Sequence, residues 1–276
     1  MNKLFGFATS EPSLIAHTLY PYRKLLKTSR MEAPCSWGIA LKKPQEEIIL
    51  KRRPSHFEEV DIFPLIEQNQ IFCGLAHLSD TVSKNINNTM PLRYKPWHFC
   101  MLTKSEHLDK IKELIAGSLP LFLKRNVRGT LEEEFIFHLF LSYLYDTRII
   151  NQYDISIIKL SESLTQTFKT WQLFIADLGL MKQFPAAMMA TNGNLLITRA
   201  NVDKLVGFKI INGIQNTCPY CRDREQKFEI DQKHQEVKSL FVAADLDSNP
   251  EDMGLKTLPE NTTLLYYKNK IQIVNE

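Results

Sequence analysis

The sequence predicts an α+β protein in which two mainly antiparallel sheets pack face to face with helices outside. Two observations carry this. Strand-like runs fill the first hundred residues, helical spacing takes over from about residue 103 to 179, and strand-like runs return from 186 onward. The long βαβ alternation of a doubly wound parallel sheet is absent, and the connections are short.

The elements follow in order. Residues 4–8 form an apolar run close to the start of the sequence. Residues 37–41 and 47–50 flank the turn Lys42-Lys43-Pro44-Gln45, which reads as a hairpin. Residues 71–78 and 97–102 are near-continuous apolar runs, as expected of strands covered on both faces. Between them, residues 79–92 are polar and Asn-rich and read as a loop. Helical spacing covers 103–119, 130–145 and 156–179; in the second of these Phe137, Leu141 and Leu144 form one stripe, read as core. Strands are expected again at 187–191, 195–198, 205–211, 240–244, 264–267 and 271–274, with Asn192-Gly193 as a two-residue hairpin turn. The most loop-like stretch is 212–234. No internal repeat or linker interrupts the chain, so residues 1–276 are expected to form a single domain.

Composition narrows the function classes. The 276 residues are 44% hydrophobic and 24% charged, which excludes disordered, collagenous and coiled-coil chains. A net charge of +3 from 34 basic and 31 acidic residues lacks the dense basic surface that phosphate contacts need, so no nucleic-acid partner is expected. No run approaches the ~20 apolar residues of a membrane span; the best, 135–145, is short and carries His138, so no membrane partner is expected either. Glu11 and His17 interrupt any apolar signal-peptide core. The five cysteines (Cys35, Cys73, Cys100, Cys218, Cys221) are odd in number and three lie in apolar runs. They read as reduced thiols of a cytoplasmic protein.

Five segments then fall in a telling order: Met1-Asn2-Lys3-Leu4-Phe5-Gly6; Cys35-Ser36-Trp37-Gly38-Ile39-Ala40; His77-Leu78-Ser79 with Asn88-Thr89-Met90-Pro91-Leu92; Phe99-Cys100-Met101-Leu102-Thr103; and Gly129-Thr130-Leu131-Glu132-Glu133-Glu134. In order and spacing they resemble the class II glutamine amidotransferases, small stand-alone branch. Residues 188–199 and Val242-Ala243-Ala244-Asp245-Leu246 extend the resemblance over nearly the whole chain. The resemblance implies a four-layer αββα sandwich of the N-terminal-nucleophile hydrolase type, no cofactor, and a cleft for a small amide or amino-acid-like ligand or a protein partner's segment. Gly6, Trp37-Gly38, Asn88, Pro91 and Gly129 match the family's structural pattern.

The family's chemistry does not carry over. Its glutaminase attacks with an N-terminal cysteine whose own α-amine, of pKa ~8, serves as base. Here the position is Asn2, and a carboxamide, its nitrogen lone pair delocalised, is not a nucleophile at neutral pH. Asparagine is also too large for routine removal of Met1, which is expected to remain. The Asn side chain and Gly amide of the oxyanion hole correspond to Leu102 and Thr103; losing one such donor costs roughly 10²–10³ in rate. The arginine that would hold the substrate's carboxylate is Ser79, and the aspartate for its ammonium is Glu132. Asn2, Ser79, Asn88, Leu102, Thr103 and Glu132 are thus former active-site positions, and the reading is a pseudoenzyme that binds a ligand or partner. An alternative is an amidase or γ-glutamyl hydrolase using a displaced thiol, Cys35 or Cys100, in segments that border the family's site.

Other signals compete. Cys218-Pro219-Tyr220-Cys221 looks like a glutaredoxin dithiol, but only 55 residues follow Cys221 where a thioredoxin-like domain needs ~80 or more around the motif. Cys218, Cys221 and His234 have finger-like spacing, Cys-x₂-Cys-x₁₂-His, with no fourth ligand near Lys238. The default reading is therefore a thiol pair in a surface loop, with no metal assigned. His77, His98 and His138 read as satisfied core histidines. Glu132, Glu133 and Glu134 read as acids complementing a helix macrodipole, and Lys51-Arg52-Arg53 as a solvated strand end.

Overall fold

Leu4, Phe5, Phe7 and Ala8 are all buried along one extended segment, which requires a central strand covered on both faces. β1 (Asn2–Thr9) lies between β4 (Cys73–Ser79) and β10 (Lys238–Asp245), antiparallel to both. The structure is a computed structural model that describes residues 2–28, 34–44, 47–103, 108–152, 155–179, 184–214, 217–224, 232–245 and 249–275, with the backbone alone for 108 and 109. The expectations that touch Met1, Gln45 and Leu246, and the first residues of the helix expected from 103, lie outside the described residues.

The larger sheet orders β11 (Lys256–Thr257), β9 (Val206–Asn212), β10, β1, β4, β2 (Cys35–Lys42) and β3 (Ile48–His56). The smaller orders β13 (Lys270–Asn275), β12 (Thr262–Tyr267), β8 (Leu195–Ala200), β7 (Ala186–Thr191), β6 (Trp97–Thr103) and β5 (Leu92–Tyr94). By internal contact the chain divides into two compact units, Met1–Leu102 with Ala187–Glu276, and Thr103–Ala186. The first holds both sheets together with α1 (Ile15–Leu19), α2 (Phe63–Glu67), and two short helices near the end of the chain. The second holds α3 (Leu108–Ser118), α4 (Leu121–Lys124), α5 (Glu132–Asp146) and α6 (Ile157–Asp177).

Alternation along β1 sorts its side chains between two environments. Phe5 and Phe7 join Ile39, Leu41 and Phe241 of the same sheet in an apolar core with Ile15 and Leu19 of α1 and Phe63 and Ile66 of α2. Each such large side chain contributes about 1.5–3 kcal/mol by leaving water. Leu4, Gly6 and Ala8 point the other way. A Cβ built on Gly6 would lie 3.0 Å from a Leu196 methyl and 3.3 Å from Met189 Sδ, so this face is turned toward the smaller sheet. Cys73, paired with Ala8, reaches the same sheet through Thr191 Oγ1 at 3.2 Å and the Leu195 carbonyl at 3.4 Å.

In the helical unit α5 and α6 pack together. Phe137, Phe140, Leu141 and Leu144 are fully buried, as the stripe predicts, and Tyr143 Oη and Thr170 Oγ1 share a 2.6 Å hydrogen bond between the two helices.

Several expectations are corrected. The β7–β8 hairpin turns through three residues, Asn192 to Asn194, not two: the Thr191 hydroxyl accepts from Gly193 N and donates to the Leu195 carbonyl, closing a wider turn with Gly193 at φ +91°. The loop-like stretch 212–234 contains α7 (Pro219–Asp223) and the start of α8 (Gln232–Glu236), each too short to show helical periodicity. Residue 92 starts β5, whose pairing with β6 stabilises a strand too short to read from the sequence. The basic cluster belongs to the edge strand β3, which also tolerates Pro54; Lys51 and Arg53 are exposed while Arg52 Nη1 donates to the Thr89 carbonyl.

Gly38 on β2 sits where the Met90 carbonyl crosses the strand, so close that a Cβ would overlap that oxygen. Because the obstacle is backbone, Gly38→Ala must displace the segment carrying Asn88. Overpacking of this kind costs about 1–3 kcal/mol, to be read as a lowered midpoint in urea unfolding; an unchanged midpoint would show that the segment moves freely.

Candidate functional site

The site begins at the first inward position of β1. Asn2 shares its face with Leu4 and Gly6, and the register places it opposite Ser79 on β4, with Ser36 of β2 opposite Ser79 in turn. His77, opposite Leu4, lies on the same face. Its Nε2–H donates to Asn2 Oδ1 at 2.7 Å, while its buried Nδ1 has no hydrogen-bond partner among the described residues. Burial pushes the His77 pKa down to about 4, so the ring is neutral at physiological pH. The expectation of a satisfied core histidine therefore holds for burial only: His77 is the direct partner of Asn2. The signal was present in the paired alternation of β1 and β4, once their register is known.

The remaining positions take part in local structure of their own. The Ser79 hydroxyl shares a 2.9 Å hydrogen bond with Thr81 Oγ1 and accepts from Thr81 N at 3.3 Å; it shapes the turn after β4. Asn88 is buried at the end of a short turn whose amides, Asn87 N and Asn88 N, donate to Asn85 Oδ1. Leu102 is fully buried near the end of β6 and carries no polar group. The Thr103 hydroxyl is buried without a partner among the described residues. His98, on β6, is neutral for the same reason as His77, its pKa lowered to about 4 chiefly by burial, and its Nε2 has no partner among the described residues.

No thiol stands in for a nucleophile beside Asn2. Cys73 is on the inward face, but six residues along β1 from Asn2, roughly 20 Å at ~3.3 Å per residue, and burial lifts its pKa to about 12. Cys35 belongs to the helix-covered core on the opposite face of the larger sheet, and Cys100 is fully buried in β6. Burial raises the pKa of both, that of Cys100 strongly, so both are held as neutral thiols.

In the helical unit two of the three glutamates, Glu132 and Glu134, do more than complement a macrodipole. Glu134 accepts from Arg128 N at 2.9 Å and Gly129 N at 2.6 Å, closing the turn before α5. His138 Nδ1–H donates to the Glu134 carbonyl one turn back. Glu132 is buried, and its Oε1 accepts from Trp171 Nε1 of α6 at 2.9 Å while Oε2 has no partner among the described residues. Burial pushes its pKa up to about 8, against the stabilising effect of the indole. Cys218 and Cys221 are buried too, 5% and 3% exposed, so they do not form a pair displayed on a surface loop.

With this geometry in hand, comparison with known proteins is informative at the level of fold. No family model and no curated protein sequence matches the chain. Solved structures do. A glutamine aminotransferase class-II domain protein from Silicibacter pomeroyi is similar over 99% of this chain and 98% of its own, at 10% identity and TM-score 0.57. A predicted glutamine amidotransferase from Pseudomonas aeruginosa is similar over 98% and 95%, at 10% identity and TM-score 0.56. The glutamine phosphoribosylpyrophosphate amidotransferase of B. subtilis, solved with ADP and GMP, matches 99% of this chain with 49% of its own, at 11% identity and TM-score 0.53. The chain has the α+β sandwich fold of the class II glutamine amidotransferases, as the motif order implies. No helix among the described residues is long and apolar enough to cross a membrane.

The raised Glu132 pKa has a direct consequence. Between the ordinary value of 4.5 and about 8 the folded chain keeps a proton that the unfolded chain gives up, so stability falls as pH rises through that interval. The fall is expected to be roughly 2–5 kcal/mol. Glu132→Gln keeps an acceptor for Trp171 and should flatten this dependence, making the variant the more stable protein at pH 8. Urea unfolding at pH 5 and pH 8 reads both; parallel curves for the two proteins would refute the assignment. A second expectation concerns the buried thiols. Cys35 and Cys100 should resist iodoacetamide in the folded chain and react in denaturant, as intact mass before and after labelling will record.

Proposed function

We propose that this chain, with its class II amidotransferase fold, is a catalytically silent protein that binds a small amide or amino-acid-like ligand, or a partner's segment, on the inward face at the start of β1. One observation carries the reading: the first inward position of β1 holds a carboxamide, hydrogen-bonded to a neutral buried imidazole, where amide cleavage by this fold needs a thiolate. A carboxamide cannot attack an acyl carbon at neutral pH, but it offers one acceptor and two donors to a ligand of its own kind.

Three further features support it. Leu102 offers no side-chain donor to a tetrahedral oxyanion. The Ser79 hydroxyl, in place of a guanidinium, is engaged with Thr81 and carries no charge to hold a carboxylate. The thiols that a displaced mechanism would use are neutral and buried, one of them in the core behind the sheet. Without nucleophile, oxyanion donor and carboxylate clamp, these polar groups on the inward face have no reaction to run.

The test is a glutaminase assay on the purified chain. Ammonia release from glutamine should not exceed the protein-free control, and Asn2→Cys should not restore it, because Leu102 still provides no oxyanion donor. Release above background that disappears in Asn2→Ala would sink the proposal. Binding is read separately by calorimetry with glutamine, asparagine and γ-glutamyl dipeptides, where Asn2→Leu should abolish any heat of binding that the native chain shows.

A further inference from the structure

We propose that His17, Cys218, Cys221 and His234 form a structural zinc site. Their four ligand atoms, one from each residue, all lie within 4.8 Å of one another. The sequence supplies three of them with finger-like spacing and no fourth; the fold supplies the fourth from 201 residues away.

Four of the six separations lie close to those of a tetrahedron around one ion, and the other two are no longer than 4.8 Å. His17 Nδ1 is 3.4 Å from Cys218 Sγ, 3.3 Å from Cys221 Sγ and 3.2 Å from His234 Nε2, and Cys221 Sγ is 3.9 Å from His234 Nε2. Zinc bonds of ~2.3 Å to sulfur and ~2.0–2.1 Å to nitrogen put tetrahedral neighbours about 3.3 Å apart for two nitrogens and about 3.6 Å for sulfur and nitrogen. Ordinary hydrogen bonding accounts for the cluster poorly. A ring nitrogen has one proton or one lone pair, and three polar atoms crowd His17 Nδ1 at once. A cation at their common centre satisfies all four ligands together.

The surroundings hold each ligand in place. Ile15, Ala16 and Leu19 anchor α1 in the apolar core beside Phe5 and Phe7, which leaves His17 directed at α7 and α8. Pro219 fixes the first turn of α7 between the two cysteines. The Ile214 amide donates to the His234 carbonyl, and Gly213 N to the Val237 carbonyl, so α8 is pinned to the chain leaving β9. The Tyr220 ring packs on His17, centroids 4.3 Å apart, and shields it from water.

Binding is balanced in charge and protons. Zn²⁺ replaces the two thiol protons, which pass to solvent, and the histidines bind as neutral rings through Nδ1 of His17 and Nε2 of His234. Two thiolates and one dication give a neutral unit suited to a buried position. Four protein ligands leave no open coordination position, so the ion braces structure and activates no water. It ties the segment between β9 and β10 to α1, far along the chain.

The experiment uses the full chain, expressed without a metal-affinity tag and purified without chelator. Native mass spectrometry and elemental analysis should find about one zinc per chain. The reduced apo chain, given Co²⁺, should show the intense visible bands of tetrahedral cobalt with sulfur ligands. Cys221→Ser should weaken metal binding by at least the roughly 10–100-fold that loss of an outer-shell partner costs, and remove the sulfur-to-cobalt absorption. Lys233→Ala, next to a ligand but pointing to solvent, should leave both unchanged and so guards against a misfolded-variant artefact. Absence of zinc together with absence of tetrahedral cobalt in the reduced native chain would overturn the site. So would metal binding that survives loss of Cys221. A native mass lower by two hydrogens, with no metal uptake after reduction, would overturn it in favour of a dithiol.

Discussion

Everything at the inward face depends on how closely the two sheets approach over Gly6. Leu196 and Met189 of the smaller sheet occupy the space a side chain there would need. That contact fixes which face of β1 looks between the sheets. Because strand side chains alternate strictly, it also fixes where Asn2 must point: a one-residue slip would turn Asn2 to the opposite face and bring Phe5 and Phe7 between the sheets. The aromatic core on the other face, with Phe5 and Phe241 stacked 6.2 Å apart, opposes any such slip. Register, not local chemistry, places the residue on which the functional reading turns.

Given that placement, electrostatics decide the state of the inward groups. A buried imidazole is costly to charge, and among the described residues the Asn2 carboxamide is the group hydrogen-bonded to His77, with no carboxylate contact to stabilise a cation. It therefore stays neutral and orients Asn2 rather than moving protons for it. The same physics acts on Glu132 with the opposite sign, raising a carboxyl until it holds its proton near neutral pH. Neither group presents a permanent charge.

How much of this was legible in the sequence depended on the range of each interaction. Strands covered on both faces, such as β4 and β6, announce themselves as apolar runs, and long helices such as α5 by their stripe. The five-residue helices α1, α2, α7 and α8 are shorter than two turns, so periodicity has nothing to act on; they exist because tertiary packing stabilises them. β5 is likewise made by its partner strand. That Asn2, Leu102 and Ser79 depart from the pattern the motif order implies was readable because each is one residue type at one place in that order. The pairing of His77 with Asn2, and of Glu132 with Trp171, was not readable, since each joins side chains from separate elements.

The histidine–cysteine cluster shows the same limit from the other direction. Its three late ligands are close in sequence, whereas His17 comes from a helix whose position is set by the aromatic core under β1. Since α1 packs on one face of β1 and Asn2 points from the other, the cluster and Asn2 are separated by the larger sheet. A bound ion would hold the segment between β9 and β10 against α1, and β10 pairs directly with β1 along seven residues. Bracing there would support the register that turns Asn2 inward.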